Sequence, residues 1–189
     1  DSLKNTQILP GDKRTILIIS TTKGNVSLQE TEMVDASLKN KMTLHASAKL
    51  VAGYFQFANE PVVISNACIS GLLAMITGMR MIRSGQYDHA VIAGADVISK
   101  FVLSGFQAFQ AVSAEPCKPF DEARNGINLG EGAATMILSA NKNYSSGIKL
   151  LSGSVSNDAN HISGPSRTGE ELYQAIHKSM EDAELSSKD

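Results

Sequence analysis

The most constraining feature of this sequence is a short apolar strand, Pro61–Asn66, that runs directly into a helix without charged residues. No Asp, Glu, Lys or Arg occurs between Cys68 and Met79. A helix that is apolar on every face is buried inside a sizeable fold, so we expect this helix to be covered. Cys68 stands at the turn between the two elements, which places it at the buried end of the helix.

β-Rich segments recur along the chain, and helical patterns fall between several of them. Such alternation predicts βαβ units and a mostly parallel, covered sheet in an α/β fold. Helical spacing over 43–57 precedes the second strand. An amphipathic helix is predicted over 169–185, with Thr168 as candidate N-cap and with Glu170 and Glu171 in its first turn. The predicted strands are Thr15–Ser20, Pro61–Asn66, Ala90–Gly94, Ala133–Ser139 and Ile148–Val155.

The composition excludes several classes of function. The chain has 189 residues, of which 42% are hydrophobic, and a formal net charge of −2, which is typical of a soluble α/β domain. No basic patch indicates nucleic-acid binding, and no apolar run is long enough to span a bilayer. The first residues lack the layout of a secretory signal, so we expect a cytoplasmic location.

The two cysteines, Cys68 and Cys117, have no spacing that suggests a metal site or a disulfide framework. We therefore expect no metal and a reducing compartment. Cys68 is the candidate nucleophile, because free backbone N–H groups and the positive end of a helix dipole stabilise a thiolate. A buried cysteine that acts only as a small hydrophobe is the alternative, and Cys117 is interpreted as an incidental loop thiol.

A second informative segment covers 118–134, where acidic, basic and glycine residues precede an apolar strand. No lysine followed by serine or threonine comes after its glycines, and their spacing differs from a dinucleotide fingerprint. We interpret the segment as a structured turn with Asp121 and Arg124 paired. Its glycines, which allow positive φ or close backbone approach, are Gly126, Gly130 and Gly132.

Five motifs, in this order along the chain, resemble those of β-ketoacyl-acyl-carrier-protein synthases. The resemblance covers most of the chain, which makes it much more specific than any one motif. The motifs are Ser65–Gly71 (SNACISG), Val91–Asp96 (VIAGAD), Ser104–Phe106 (SGF), Pro119–Gly132 (PFDEARNGINLGEG) and Ser156–Ser163 (SNDANHIS).

The resemblance implies a thiolase-like fold, built from two similar layered α/β halves, and a decarboxylating Claisen condensation of an acyl thioester with malonyl-carrier protein. Cys68 matches the cysteine that receives the acyl chain, and its backbone N–H matches one donor of an oxyanion hole. Phe106 matches a wall of the acyl pocket, with core packing as the alternative. Ser163 matches a polar contact near the pantetheine entrance, with an ordinary loop hydroxyl as the alternative. His161 matches a histidine near the same mouth, and direct catalysis by it is disfavoured.

The implied partners are an acyl carrier protein and a second ketosynthase-like subunit, in a homodimer or a heterodimer. The substrates would be carried on the phosphopantetheine of the carrier protein, and no separate cofactor is expected. The family's histidines for decarboxylation and condensation lie in a His-Gly-Thr segment and a Lys-Ser-…-Gly-His segment, which this sequence does not contain. We therefore interpret residues 1–189 as a partial ketosynthase domain, mainly the first half of the fold, that condenses poorly alone.

Two departures from the family pattern put substrate preference in question. Ile69 follows the cysteine where a small residue is usual, and Asn125–Asn128 (NGIN) replaces a usual Asp-Gly-Phe-Val. Two functions remain open. The first is a ketosynthase acylated at Cys68, and the second is a non-condensing partner that resembles a chain-length factor. A thiolase or an acyl-CoA condensing relative is weaker, because the segment over 119–132 resembles the elongating synthases.

Overall fold

A mixed four-stranded sheet forms the centre of the computed structural model. The structure describes residues 2–4, 6–33, 35–144, 147–159 and 166–189. The strands are β1 (Thr15–Ser20), β2 (Val62–Ile64), β3 (His89–Asp96) and β4 (Gly132–Ser139), in the spatial order β2-β1-β3-β4. β1 runs parallel to β2 and to β3, whereas β4 runs antiparallel to β3. The α/β class and four of the five predicted strands are thereby confirmed.

Three of the described helices begin at a polar side chain that caps them. Within the described residues the helices are α1 (Ala36–Met42), α2 (Leu44–Tyr54), α3 (Ser70–Arg83), α4 (Lys100–Ala108) and α5 (Glu170–Asp182). Asp35 accepts a hydrogen bond from the third residue of α1, Thr43 does the same for α2, and Ser99 does so for α4. Each cap satisfies a backbone N–H that has no partner inside its helix.

β1 is buried on both faces, which explains its continuous apolar sequence. Successive side chains of a strand point to opposite faces of the sheet. Ile16 and Ile18 pack with Ala74 of α3 on one face. Leu17 packs with Ala52 of α2 on the other face. The core therefore has two layers, one on each side of the sheet.

α3 packs closely on the sheet along one side, not on every side as the sequence predicts. A Cβ atom on Gly78 would lie 3.1 Å from the Cβ of Ala90 and 3.3 Å from Cδ1 of Ile18, so the absent side chain permits this approach. On the other side of the helix, Leu72 is 51% exposed. The apolar residues on this side of α3 therefore do not pack on the sheet.

The prediction of a strand over Ile148–Val155 is wrong, since all eight residues are described and none is in a strand. The segment instead contacts α3: Arg80 donates to the carbonyl of Gly153 and Arg83 donates to the carbonyl of Leu151. These carbonyls accept hydrogen bonds from side chains, whereas the carbonyls of a strand accept them from the backbone of a neighbouring strand.

The last helix, α5, has Glu170 and Glu171 in its first turn, as predicted. Its N-cap is Gly169, with φ of +68°, and not Thr168. Glycine adopts this left-handed conformation without a Cβ penalty, which explains why it displaces the threonine. None of the helices in the described ranges combines the length and apolar character that crossing a bilayer requires.

Candidate active site

Cys68 lies on the turn between β2 and α3, at the carboxyl end of the parallel strands. The side chains from Ser65 to Ile69 are all exposed, including the thiol of Cys68. The expectation that Cys68 sits at a buried end is therefore wrong, because these five residues extend beyond the last residue of β2, Ile64. An exposed thiol next to a helix N-terminus is accessible to a substrate in solution.

The turn holds an unusual backbone conformation one residue before the cysteine. Ala67 has φ of +45°, which lies in the left-handed region that residues with a Cβ atom seldom adopt. The turn is closed by a hydrogen bond of 3.2 Å from the Ile69 N–H to the Asn66 carbonyl. The chain thus reverses sharply at the residue that carries the thiol.

Ser70, the first residue of α3, makes two hydrogen bonds to this turn through one hydroxyl. Its Oγ accepts from the Asn66 N–H at 2.8 Å and donates to the Ala67 carbonyl at 2.7 Å. The side chain is buried, with 3% exposure. No sequence motif assigns a role to Ser70, and its one signal is that it is a polar residue at the start of a helix whose first ten residues carry no charge.

A carboxylate at the end of β3 fixes the loop that follows β1. Asp96 accepts a hydrogen bond of 2.9 Å from the Thr21 hydroxyl and bonds of 3.3 Å from the Thr22 N–H, and its Oδ1 lies 3.4 Å from Nζ of Lys23. The Ser65 hydroxyl donates to the Thr22 carbonyl at 3.4 Å. The loop therefore connects Asp96 to the turn that carries the thiol.

Ser20 packs tightly at the same carboxyl edge of the sheet. A Cβ atom on Gly94 would lie 3.2 Å from the Ser20 carbonyl oxygen, and one on Gly71 would lie 3.8 Å from the Ser20 hydroxyl. The glycine in the Val91–Asp96 motif is thus explained by the close approach of β3 to the end of β1.

Phe106 lies on α4 and is half-buried. It contributes to an open apolar groove of about 690 Å³. The groove is lined by Lys100, Phe101, Val102, Ser104, Gly105, Phe106 and Phe109, and Cys68 is not one of the lining residues. The assignment of Phe106 to an acyl pocket stays a prediction. The other two predicted substrate contacts, His161 and Ser163, lie outside the described residues, and their assignments also stay predictions.

The second motif segment is a structured turn, as predicted, with different pairing. Arg124 donates to the backbone carbonyl of Asp121 at 2.9 Å, while the Asp121 carboxylate accepts from the Ala123 N–H. The predicted side-chain pair is therefore replaced by two local bonds. Gly126 has φ of +128°, and a Cβ atom there would lie 2.7 Å from the Ala111 carbonyl oxygen.

The asparagines that depart from the family pattern hold this second turn in place. Asn125 accepts a hydrogen bond of 2.8 Å from the Ser113 hydroxyl. Asn128 accepts one of 2.7 Å from the Cys117 N–H and donates to the Glu115 carbonyl. Cys117 is exposed and free, and its surroundings are those of an ordinary loop.

Comparison with known proteins decides the family. Residues 3–143 match the sequence profile of "Beta-ketoacyl synthase, N-terminal domain". This chain belongs to the beta-ketoacyl synthase family. It is 26% identical over 134 residues to 3-oxoacyl-[acyl-carrier-protein] synthase 2 of Staphylococcus aureus. The aligned region covers 65% of this chain and 33% of that protein. A putative mitochondrial 3-oxoacyl-[acyl-carrier-protein] synthase of Schizosaccharomyces pombe is 24% identical over 161 residues, covering 78% of this chain and 38% of that protein.

A solved complex of a ketosynthase with its chain length factor confirms the thiolase-like fold of this family member. One chain of this complex, which comes from Xenorhabdus doucetiae, superposes with a TM-score of 0.80 at 26% identity. The superposition covers 92% of this chain and 46% of that chain. The present chain therefore spans about a third of the length of the curated relatives and about half of the solved structure.

Proposed function

We propose that this ketosynthase-family chain accepts an acyl group on Cys68, as the first half-reaction of a 3-oxoacyl-[acyl-carrier-protein] synthase. The observation that carries the proposal is the position of Cys68: an exposed thiol, on a closed turn, two residues before α3. Its match to the acyl-accepting cysteine of the family motif adds support. Helix N-termini favour anionic groups, and a thiolate is both a good nucleophile and a good leaving group.

The acyl transfer can be written with ordinary thioester chemistry. The Cys68 thiolate attacks the carbonyl carbon of an acyl thioester, and backbone N–H donors stabilise the negative charge on the carbonyl oxygen. The tetrahedral intermediate collapses, the bond to the pantetheine sulfur breaks, and that sulfur takes a proton. An acyl thioester on Cys68 is the product, ready to acylate the carbanion formed when a malonyl group loses CO₂.

The proposed partners follow from the relatives and from the sheet. An acyl carrier protein would deliver the substrate on its phosphopantetheine, since the relatives are named as synthases that act with it. A second ketosynthase-like subunit would pair beside β2, which is an edge strand within the described sheet. Edge strands expose backbone donors and acceptors that a further strand can use. Phe106 would form part of the acyl pocket, and His161 and Ser163 would lie near its entrance.

A second candidate function is that of a non-condensing partner that resembles a chain-length factor. Two observations favour it: Ile69 stands where the family usually has a small residue beside the cysteine, and the matched solved structure is a ketosynthase in complex with its chain length factor. A partner of this kind has no need of an acylated thiol. Acylation of Cys68 therefore separates the two functions.

Acyl transfer to the chain tests the proposal. The wild type and the variants Cys68→Ser and Cys117→Ser are incubated with an acyl-CoA, or with an acylated carrier protein, and analysed by intact mass. We expect one acyl group on the wild type and on Cys117→Ser, and none on Cys68→Ser. Equal acylation of the two variants, or none in any folded sample, would contradict the proposal.

Malonyl decarboxylation measures how far the reaction proceeds in this chain. The two histidine segments that the family uses for this step are not in the sequence. We therefore expect little or no CO₂ release from a malonyl thioester, even when Cys68 is fully acylated. Release above the Cys68→Ser background would show that other groups of this chain perform the step.

A further inference from the structure

We infer that Ser70 is a positioning residue for Cys68. Its buried hydroxyl holds Ala67 in the left-handed conformation and thereby fixes the direction in which the thiol points. This inference rests on the proposed role of Cys68 as the acyl acceptor, and it concerns how the scaffold aims that thiol.

The hydrogen bonds of Ser70 serve the turn and not the helix. An N-cap side chain accepts from an N–H two or three residues further along the chain. The Ser70 hydroxyl instead bonds backwards, accepting from Asn66 and donating to the Ala67 carbonyl. The N-cap position itself is occupied by Ile69, which provides no side-chain cap. The side chain of Ser70 is therefore placed to shape the residues before the helix.

The two bonds flank the strained residue. One partner is the N–H of Asn66, directly before Ala67, and the other is the carbonyl of Ala67 itself. Alanine at φ of +45° is strained, and such a conformation persists only when the surrounding structure holds the residue in it. Because Ser70 is 3% exposed, water does not readily replace its hydroxyl.

The orientation of Cys68 depends on this turn. Cys68 follows Ala67 directly, so relaxation of Ala67 to a negative φ would rotate the thiol relative to α3. Small misplacements of a reacting group cost large factors in rate. The hydroxyl of Ser70 thus links a buried residue of α3 to the turn that carries the exposed thiol.

The first test compares Ser70→Ala with a matched control, Ser99→Ala. Ser99 is also buried, with 3% exposure, and its hydroxyl accepts a bond at the start of α4. The readouts are the rate of acyl transfer from acyl-CoA to Cys68 and the ratio of Cys68 to Cys117 alkylation by iodoacetamide. We expect Ser70→Ala to slow acyl transfer about tenfold and to lower the alkylation ratio. Ser99→Ala should change neither, and equal effects of the two variants would overturn the inference.

Rescue at Ala67 separates positioning from simple loss of stability. Glycine adopts positive φ without a Cβ penalty. In Ala67→Gly the left-handed conformation is therefore no longer strained and depends less on the Ser70 hydroxyl. We expect the double variant Ser70→Ala/Ala67→Gly to react faster than Ser70→Ala and to regain most of the lost rate, with Ala67→Gly alone as its reference. A double variant as slow as Ser70→Ala would overturn the inference.

Two further variants keep the test decisive if Ser70→Ala does not fold. Ser70→Thr and Ser70→Val have side chains of nearly the same shape and differ in the hydroxyl. We expect Ser70→Thr to react about tenfold faster than Ser70→Val at Cys68, and equal rates would count against the inference. If the folded wild type accepts no acyl group, the proposed function fails. The alkylation ratio across the same variants still decides the role of Ser70.

Discussion

The hydroxyl of Thr21 donates a hydrogen bond of 2.9 Å to the carboxylate of Asp96, and this bond joins the end of β1 to the end of β3. The same carboxylate accepts from the Thr22 N–H and lies beside Lys23. Ser65, next to the β2 end, donates to the Thr22 carbonyl. The carboxyl ends of the three parallel strands are thus connected through a single loop near the proposed nucleophile.

Removal of the Asp96 carboxylate should destabilise this edge of the sheet. Asp96→Ala leaves the Thr21 hydroxyl and the Thr22 N–H without their acceptor, and we expect a loss of about 1–3 kcal/mol in the free energy of unfolding. Lys23→Ala removes a partly exposed ion pair and an exposed hydrogen bond from Nζ to the Thr22 hydroxyl, so we expect a loss of less than about 1 kcal/mol. Urea unfolding of the two variants measures the difference, and equal losses would contradict this ranking.

Gly78 should not tolerate a larger side chain. A Cβ atom there would already lie 3.1 Å from the Cβ of Ala90, so we expect Gly78→Val to overpack the interface and cost about 1–3 kcal/mol. The matched control is Gly53→Val, since Gly53 lies in α2 and a Cβ atom there would have no neighbour within 4 Å. Thermal unfolding compares them, and a Gly78→Val variant as stable as Gly53→Val would be inconsistent with this packing.

The ion pair of Arg14 and Asp88 gives the fold a defined acid sensitivity. The guanidinium donates to both carboxylate oxygens, at 2.7 and 3.1 Å, and the hydrogen bond from Arg14 lowers the pKa of Asp88 below its usual range. A lowered pKa in the folded state stabilises the fold above the unfolded value, which is about 3.9 for aspartate. This contribution is lost as the pH falls through the lower, folded-state pKa.

A comparison of wild type with Asp88→Asn tests this pH dependence. The stability difference between them should be constant above about pH 5 and should shrink below about pH 4. Both side chains are nearly half exposed, so the difference should be modest and should weaken in high salt. Urea midpoints measured from pH 2 to 7 provide the comparison. A stability difference between the two proteins that stays constant over the whole pH range would contradict the lowered pKa of Asp88.

Local pattern predicted the sheet well because its strands are apolar runs, although only β1 and part of β3 are buried. Thr15–Ser20 was placed correctly at both ends, and the strand at Ala133–Ser139 begins one residue earlier than predicted. The same pattern failed at Ile148–Val155, because a strand also needs a partner strand, and this segment bonds to arginines of α3 instead. Strand pairing depends on residues that are distant in the sequence, so an apolar run alone does not predict it.

The place of Cys68 in the fold was predicted from the sequence, but the conformation of its turn was not. The strand-to-helix transition placed Cys68 on a turn before α3, whereas its exposure depends on how far the turn extends beyond the sheet. The left-handed conformation of Ala67 was not predictable, because alanine rarely adopts it. The role proposed for Ser70 depends on that conformation and was missed for the same reason.

The most direct measurement locates the acyl group on the wild-type chain. After incubation with acyl-CoA, half of the sample is treated with neutral hydroxylamine, which cleaves thioesters and leaves amides intact, and both halves are mapped by peptide mass spectrometry. We expect a hydroxylamine-labile acyl group on the peptide that contains Cys68 and none on the peptide that contains Cys117. An acyl group spread over both cysteines, or present only as a stable lysine amide, would contradict the role proposed for Cys68.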